Sequence, residues 1–99
     1  MRSLTGTPVN DTLTLTNANA EYSYTFPAGT MYAESLARTS VAVRFAYVTG
    51  KVATPTEPYE TAGIGVPWHT PDDVAMSGPL TVYFACGTAG TVLEIEYWR

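Results

Sequence analysis

The sequence predicts an all-β domain, a two-sheet β-sandwich of jelly-roll type with about seven or eight strands. Three observations predict it. Apolar residues recur with period two along most of the chain, whereas helical periodicity is nearly absent. Threonine occurs 16 times, often at alternate positions beside apolar residues, and its β-branched side chain suits a pleated surface better than a helix. Groups of Gly, Asn and Pro punctuate the alternating runs and supply the turns that a sandwich needs.

The elements follow in order. Residues 1–10, rich in Thr, Gly and Pro, read as an extended N-terminal arm, and 11–99 read as the sandwich domain. In Asp11–Thr16, Leu13 and Leu15 alternate with Thr12, Thr14 and Thr16, and Asn17-Ala18-Asn19 makes a turn. In Glu21–Phe26, Tyr22, Tyr24 and Phe26 share a face opposite Glu21, Ser23 and Thr25. Met31–Arg38 spaces Tyr32, Ala33 and Leu36 almost as a helix would, but it follows Pro27-Ala28-Gly29 and is short, so a strand is the better reading. Val41–Val48 sets Val41, Val43, Phe45 and Tyr47 on one face and Arg44 on the other, ending at Thr49-Gly50-Lys51. Between Ala53 and Pro79 stand Pro55, Pro58, Pro67, Pro71 and Pro79. Proline cannot donate to a ladder, so only brief strands are expected there, near Tyr59–Ala62 and Gly65–Trp68. Leu80–Ala85 presents Leu80, Val82 and Phe84 on one face, and Val92–Trp98 presents Leu93, Ile95 and Tyr97. With Gly87-Thr88-Ala89-Gly90 between them, these two segments read as a hairpin. The expected core is Leu13, Leu15, Val43, Phe45, Val82, Phe84, Leu93 and Ile95.

The totals narrow the function. A chain of 99 residues supports one hydrophobic core. Charged residues make only 14% of it, against about 25% in ordinary soluble domains. The net charge is −4, and Arg2, Arg38, Arg44, Lys51 and Arg99 are scattered. No basic stripe is available for phosphates or anionic lipid, so neither direct nucleic-acid binding nor membrane binding is expected. The single cysteine, Cys86, permits no intrachain disulfide, which fits assembly in a reducing cytoplasm. Met1 to Gly6 lacks the apolar core of a signal peptide.

Catalytic chemistry has little to draw on. His69 is the one histidine, in Trp68-His69-Thr70-Pro71-Asp72-Asp73. A metal or acid–base site of His69, Asp72 and Asp73 lacks any diagnostic ligand spacing, and a solvated loop turned by Asp72 reads more simply. Neither Ser40 nor Ser77 stands in a nucleophile elbow. Gly63-Ile64-Gly65-Val66 lacks the rest of a phosphate loop and reads as a turn. Cys86 has no local positive charge to activate it and reads as a small buried hydrophobe. No catalytic residue, metal or cofactor is therefore expected. Trp68, in a proline-rich loop, and Trp98, next to the last residue, fit a sandwich core less readily and are the first candidates for partner contacts, with His69 beside them.

Two segments carry a resemblance. Thr12-Leu13-Thr14-Leu15-Thr16-Asn17-Ala18-Asn19-Ala20-Glu21-Tyr22-Ser23 resembles the opening of small virion proteins of tailed bacteriophages. The ending is similar to theirs, in Leu80-Thr81-Val82-Tyr83-Phe84 and Ala89-Gly90-Thr91-Val92-Leu93-Glu94-Ile95-Glu96-Tyr97-Trp98. Ala37-Arg38, Val41-Ala42-Val43-Arg44-Phe45 and Thr49-Gly50-Lys51-Val52 extend the likeness between them. The resemblance implies a non-enzymatic β-sandwich in the virion, assembled in the host cytoplasm. It implies a capsid decoration or cement protein, or a neck or tail component, working as a homo-oligomer, with a trimer favoured, against the major capsid or another virion protein. Two other classes stay open. A carbohydrate-binding module would stack sugars on exposed Tyr or Trp, such as the Tyr22–Tyr24–Phe26 face. A small metal-dependent enzyme would use His69 with Asp72 and Asp73.

Overall fold

The computed structural model describes residues 6–54, 56–70 and 77–99. Among them lie eight strands and no helix: β1 (Pro8–Leu15), β2 (Tyr22–Phe26), β3 (Tyr32–Ala37), β4 (Val43–Ala46), β5 (Glu60–Ala62), β6 (Trp68–His69), β7 (Leu80–Ala85) and β8 (Thr91–Trp98). They form two four-stranded antiparallel sheets, sheet I in the order β1-β8-β3-β6 and sheet II in the order β2-β7-β4-β5.

The order has a simple origin. β1 pairs with β8, β2 with β7, β3 with β6 and β4 with β5, so the chain is one long hairpin turning between β4 and β5. Rolling that hairpin brings β8 against β3 and β7 against β4. The result is a double-sheet jelly roll, as the alternation predicts.

Two expectations need correction. β7 and β8 are not a hairpin, because they lie in different sheets. The segment between them is an arch, docked where Gly90 N donates to the carbonyls of Leu15 at 2.8 Å and Thr16 at 3.2 Å. Gly90 stands at φ 78°, a conformation that side chains with a Cβ rarely take. The chain also enters the sheet earlier than the expected arm allows. Pro8, Val9 and Asn10 pair with Trp98, Tyr97 and Glu96, and Thr7 and Arg99 exchange both backbone bonds at 2.8 and 3.0 Å. Residues 1–5 of the arm lie outside the described residues. Pro8 is tolerated because β1 is an edge strand.

The core fills the space between the sheets. Leu15, Phe26, Val82, Phe84, Leu93 and Ile95 are at most 2% exposed. Phe26 lies nearly parallel to Trp68 at 5.4 Å and edge-on to Tyr97 at 5.6 Å. Leu13 and Phe45, expected in the core, pack half-buried at its rim. A second, smaller cluster of Ala46, Val52 and Ala85 covers the outside of sheet II, with Tyr59 and Tyr83 beside it. It exists because the β4–β5 connection folds back over the sheet. Arg44 Nε donates to the Val52 carbonyl at 2.8 Å and its Nη2 to Asn19 Oδ1 at 2.8 Å. Glu21 accepts from Thr49 Oγ1 at 2.6 Å and from Gly50 N at 2.8 Å.

Three of the four sheet edges are short or capped. β5 and β6 have only three and two residues, too few to template another chain. The mutual bonds of Thr7 and Arg99 fix the alternation along β1, so Asn10, Thr12 and Thr14 aim their backbone groups at the free edge. There, Thr12 N donates to Asp11 Oδ1 at 2.8 Å, and Asp11 Oδ2 accepts from Tyr24 Oη at 2.8 Å. One carboxylate thus caps the edge of β1 and clasps it to β2.

Candidate functional site on the outer face of sheet I

The outside of sheet I carries two of the three contact residues expected from sequence, His69 and Trp98. Strand register arranges it in rows. Pro8, Trp98 and Tyr32 form the first, Asn10, Glu96, Glu34 and His69 the second, and Thr12, Glu94 and Leu36 the third. In β3 this leaves the larger side chains outside and Ala33, Ser35 and Ala37 inside. Ala33 shares the core cluster with the rings of Phe26 and Trp68.

The expected contact residues divide at β6. Trp68 is 4% exposed, packed on Phe26, Phe45 and Phe84, with its Nε1 donating to Tyr47 Oη at 3.0 Å. It is a core residue, out of a partner's reach. A two-residue strand is too short to show from alternation which face its tryptophan takes. His69, the next residue, points the other way and is exposed. Its ring lies 6.2 Å from that of Tyr32 at 24°, and its Nδ1 donates to the Thr70 carbonyl at 2.8 Å. Trp98 is half-buried on the same face, directly across from Tyr32. The fold therefore joins His69 and Trp98 with Tyr32, which sequence reasoning did not single out.

The polar ends of these rings are tied to acids. Tyr32 Oη donates to Glu34 Oε2 at 3.1 Å, and Trp98 Nε1 donates to Glu96 Oε1 at 3.2 Å. Glu34 and Glu96 are themselves cross-strand partners, an arrangement of like charges that costs stability. Arg38 Nε meets Glu94 Oε2 at 3.3 Å, with both side chains more than half exposed, so this ion pair contributes little. A groove of about 370 Å³ runs between Asn10 and Thr12 of β1, Glu94 and Glu96 of β8, and Glu34 and Leu36 of β3. By contrast, the apolar opening between the sheets near Val41, Ala62 and Val66 has about 10 Å³, room for roughly one water.

Elsewhere the chemistry is quiet. Among the described residues no three His, Cys, Asp or Glu side chains converge as metal ligands. Asp72 and Asp73, considered beside His69, lie outside the described residues. Cys86 is 1% exposed, with its thiol on the Thr88 carbonyl at 3.2 Å. The Tyr22–Tyr24–Phe26 face points into the sandwich. Burial, and then the neighbouring Asp11, push the Tyr24 phenol above its ordinary value. The bonds from Tyr24 and Thr12 hold the Asp11 carboxyl below its own. Among the described residues, large apolar side chains are exposed on loops, as Tyr47 and Val48 after β4 and Ile64 and Val66 between β5 and β6. Comparison with known protein families, curated proteins and solved structures returned no match.

Proposed function

We propose that the chain is a non-enzymatic structural protein of a phage virion, decorating or cementing the capsid shell as a homo-oligomer. The reading starts from the likeness of Thr12 to Trp98 to small virion proteins. The observation that supports it most is the exposure of Tyr47, Val48, Ile64 and Val66, each more than half open to solvent on loops. Apolar side chains held at loops favour contacts with neighbouring subunits, while the short β5 and β6 edges offer little template for open-ended strand addition. The partners in this reading are further copies of the chain and the major capsid or another virion protein, met in the host cytoplasm. Association is favoured because a core of this size leaves a small margin of stability that association raises by mass action, and the likeness to virion proteins makes a trimer the leading assembly.

Sedimentation velocity at micromolar concentration tests it. Three copies of the 10.7 kDa chain should sediment together, and Val66→Asp should weaken the assembly. Added protein should also appear on phage shells that lack it, seen by electron microscopy. A single 10.7 kDa species that leaves such shells bare would remove the proposal.

A further inference from the structure

We propose that β2 is a self-pairing edge: two copies of the chain join β2 to β2, antiparallel, across a twofold axis centred on Tyr24. The contact is separate from the loops of the proposed assembly and from any role in a particle.

The first argument is the supply of backbone groups. β2 stands at the edge of sheet II and is five residues long. Asn19 N donates to the Cys86 carbonyl at 2.7 Å, so the carbonyl that follows β7 points toward β2. Alternation back along β7 turns Phe84, Val82 and Leu80 the same way. Their partners Tyr22, Tyr24 and Phe26 therefore spend their backbone groups on β7, and those of Ser23 and Thr25 face the free edge. A second β2 centred on Tyr24 sets Ser23 against Thr25 of the other copy, and Thr25 against its Ser23. Such opposed residues exchange both N–H···O bonds, which uses every outward backbone group of the pair.

The second argument is the lack of a guard. Sheet edges are usually blunted by charge, proline, a bulge or shortness. β5 and β6 are short, and Asp11 caps Thr12 N on β1. Tyr22–Phe26 contains no charge and no proline, and its register with β7 runs unbroken. The nearest carboxylates are held within their own copy. Glu21 accepts from Thr49 Oγ1 and Gly50 N, and Asp11 from Thr12 N and Tyr24 Oη.

The third argument is the match of side chains. Tyr22, Tyr24 and Phe26 pack on the core, so Ser23 and Thr25 lie on the outer face of sheet II, both exposed. Thr25 Oγ1 already meets Thr81 Oγ1 at 2.9 Å. Pairing extends that row from Thr81 and Thr25 to Ser23 of the second copy, and opposed hydroxyl residues stabilise a sheet. The joined sheet ends in β5 on both sides, too short to recruit a further strand, so the product is a closed twofold dimer and not a fibre. The outer face of sheet I, where Glu34, Glu94 and Glu96 outnumber Arg38, repels its own copy instead.

Sedimentation velocity of the full chain, from low micromolar to millimolar concentration, tests the proposal together with amide hydrogen exchange followed by NMR across the same range. The Ser23 and Thr25 amides should slow as the protein associates, while those of Asn10 and Thr14 on the β1 edge stay fast. Thr25→Pro deletes an outward N–H and spares the ladder with β7, so it should weaken association roughly tenfold or more. Thr25→Val keeps the N–H and should associate as the wild type does. Val66→Asp alters the loops and should leave the β2 contact in place. Thermal melts accompany each variant, and if Thr25→Pro melts early, the wild-type amide exchange decides. A monomer at millimolar concentration would overturn the proposal. So would association that leaves the Ser23 and Thr25 amides fast, or equal losses in Thr25→Val and Thr25→Pro. Association lost in Val66→Asp and untouched in Thr25→Pro would overturn it while keeping the loop assembly.

Discussion

Phe26 shows how much a single side chain carries. It is fully buried and touches rings on both sheets: Tyr24 at 4.9 Å, Trp68 at 5.4 Å and Tyr97 at 5.6 Å. Phe26→Ala should lower unfolding stability by about 3–5 kcal/mol in urea titrations, since neighbours from two sheets cannot collapse into the space. Phe45 is only half-buried at the rim, so Phe45→Ala should cost about 2 kcal/mol, in proportion to the area it hides. Equal losses for the two would contradict this division of the core. The same scale explains the two tryptophans. Trp68 and Trp98 look alike in sequence as large apolar groups at irregular places. One fills the interior and the other faces out, because side-chain direction follows strand register, which neither neighbourhood declares.

At the scale of elements, two contacts hold pieces of chain that strand pairing alone leaves loose. The Asp11 carboxyl, which caps β1, is held below the ordinary carboxylate range by the bonds from Tyr24 and from Thr12 N. A depressed folded value means that the ionised form favours the native state. The contribution is complete above the unfolded value of about 3.9 and fades as pH falls through the folded one. Asp11→Asn should therefore lower the urea midpoint at neutral pH, and the two proteins should converge in strong acid. A gap that widens below about pH 4 would reverse the sign of this argument. Arg44 does comparable work on sheet II, where it pins the Val52 carbonyl and Asn19. Arg44→Met should cost about 1–3 kcal/mol, the range for a charged hydrogen bond whose partner is left behind. Limited proteolysis should then cut first between residues 47 and 54, the segment those bonds restrain. Unchanged cleavage there would show that Val52 packing suffices.

For the whole molecule, topology governs kinetics more than composition does. The pairing of β1 with β8 joins the two ends of the described chain, and β2 with β7 and β3 with β6 nest inside it. Each closes a long loop before its contacts form, so folding should take milliseconds to seconds, as in other sandwiches. Stopped-flow refolding of the chain checks this, and relaxation in microseconds would mean that local contacts dominate after all.

What the sequence by itself determined was local. Period-two alternation, β-branched threonines and turn residues identify the strands from Asp11–Thr16 to Val92–Trp98 and exclude a helix over Met31–Arg38, because each signal is read within a few residues of chain. Cys86 as a buried hydrophobe and the inward Tyr22–Tyr24–Phe26 face were legible for the same reason. Alternation marks the faces of a strand and not its neighbours. A five-residue link such as 86–90 serves equally for a hairpin or for an arch between sheets. Only the rolled pairing decided that β8 lies between β1 and β3. That placement set Glu96 opposite Glu34, brought Trp98 to Tyr32 and, with β6 along the far edge, added His69. The outer face of sheet I is made from four separate stretches of chain, so no stretch alone reveals it.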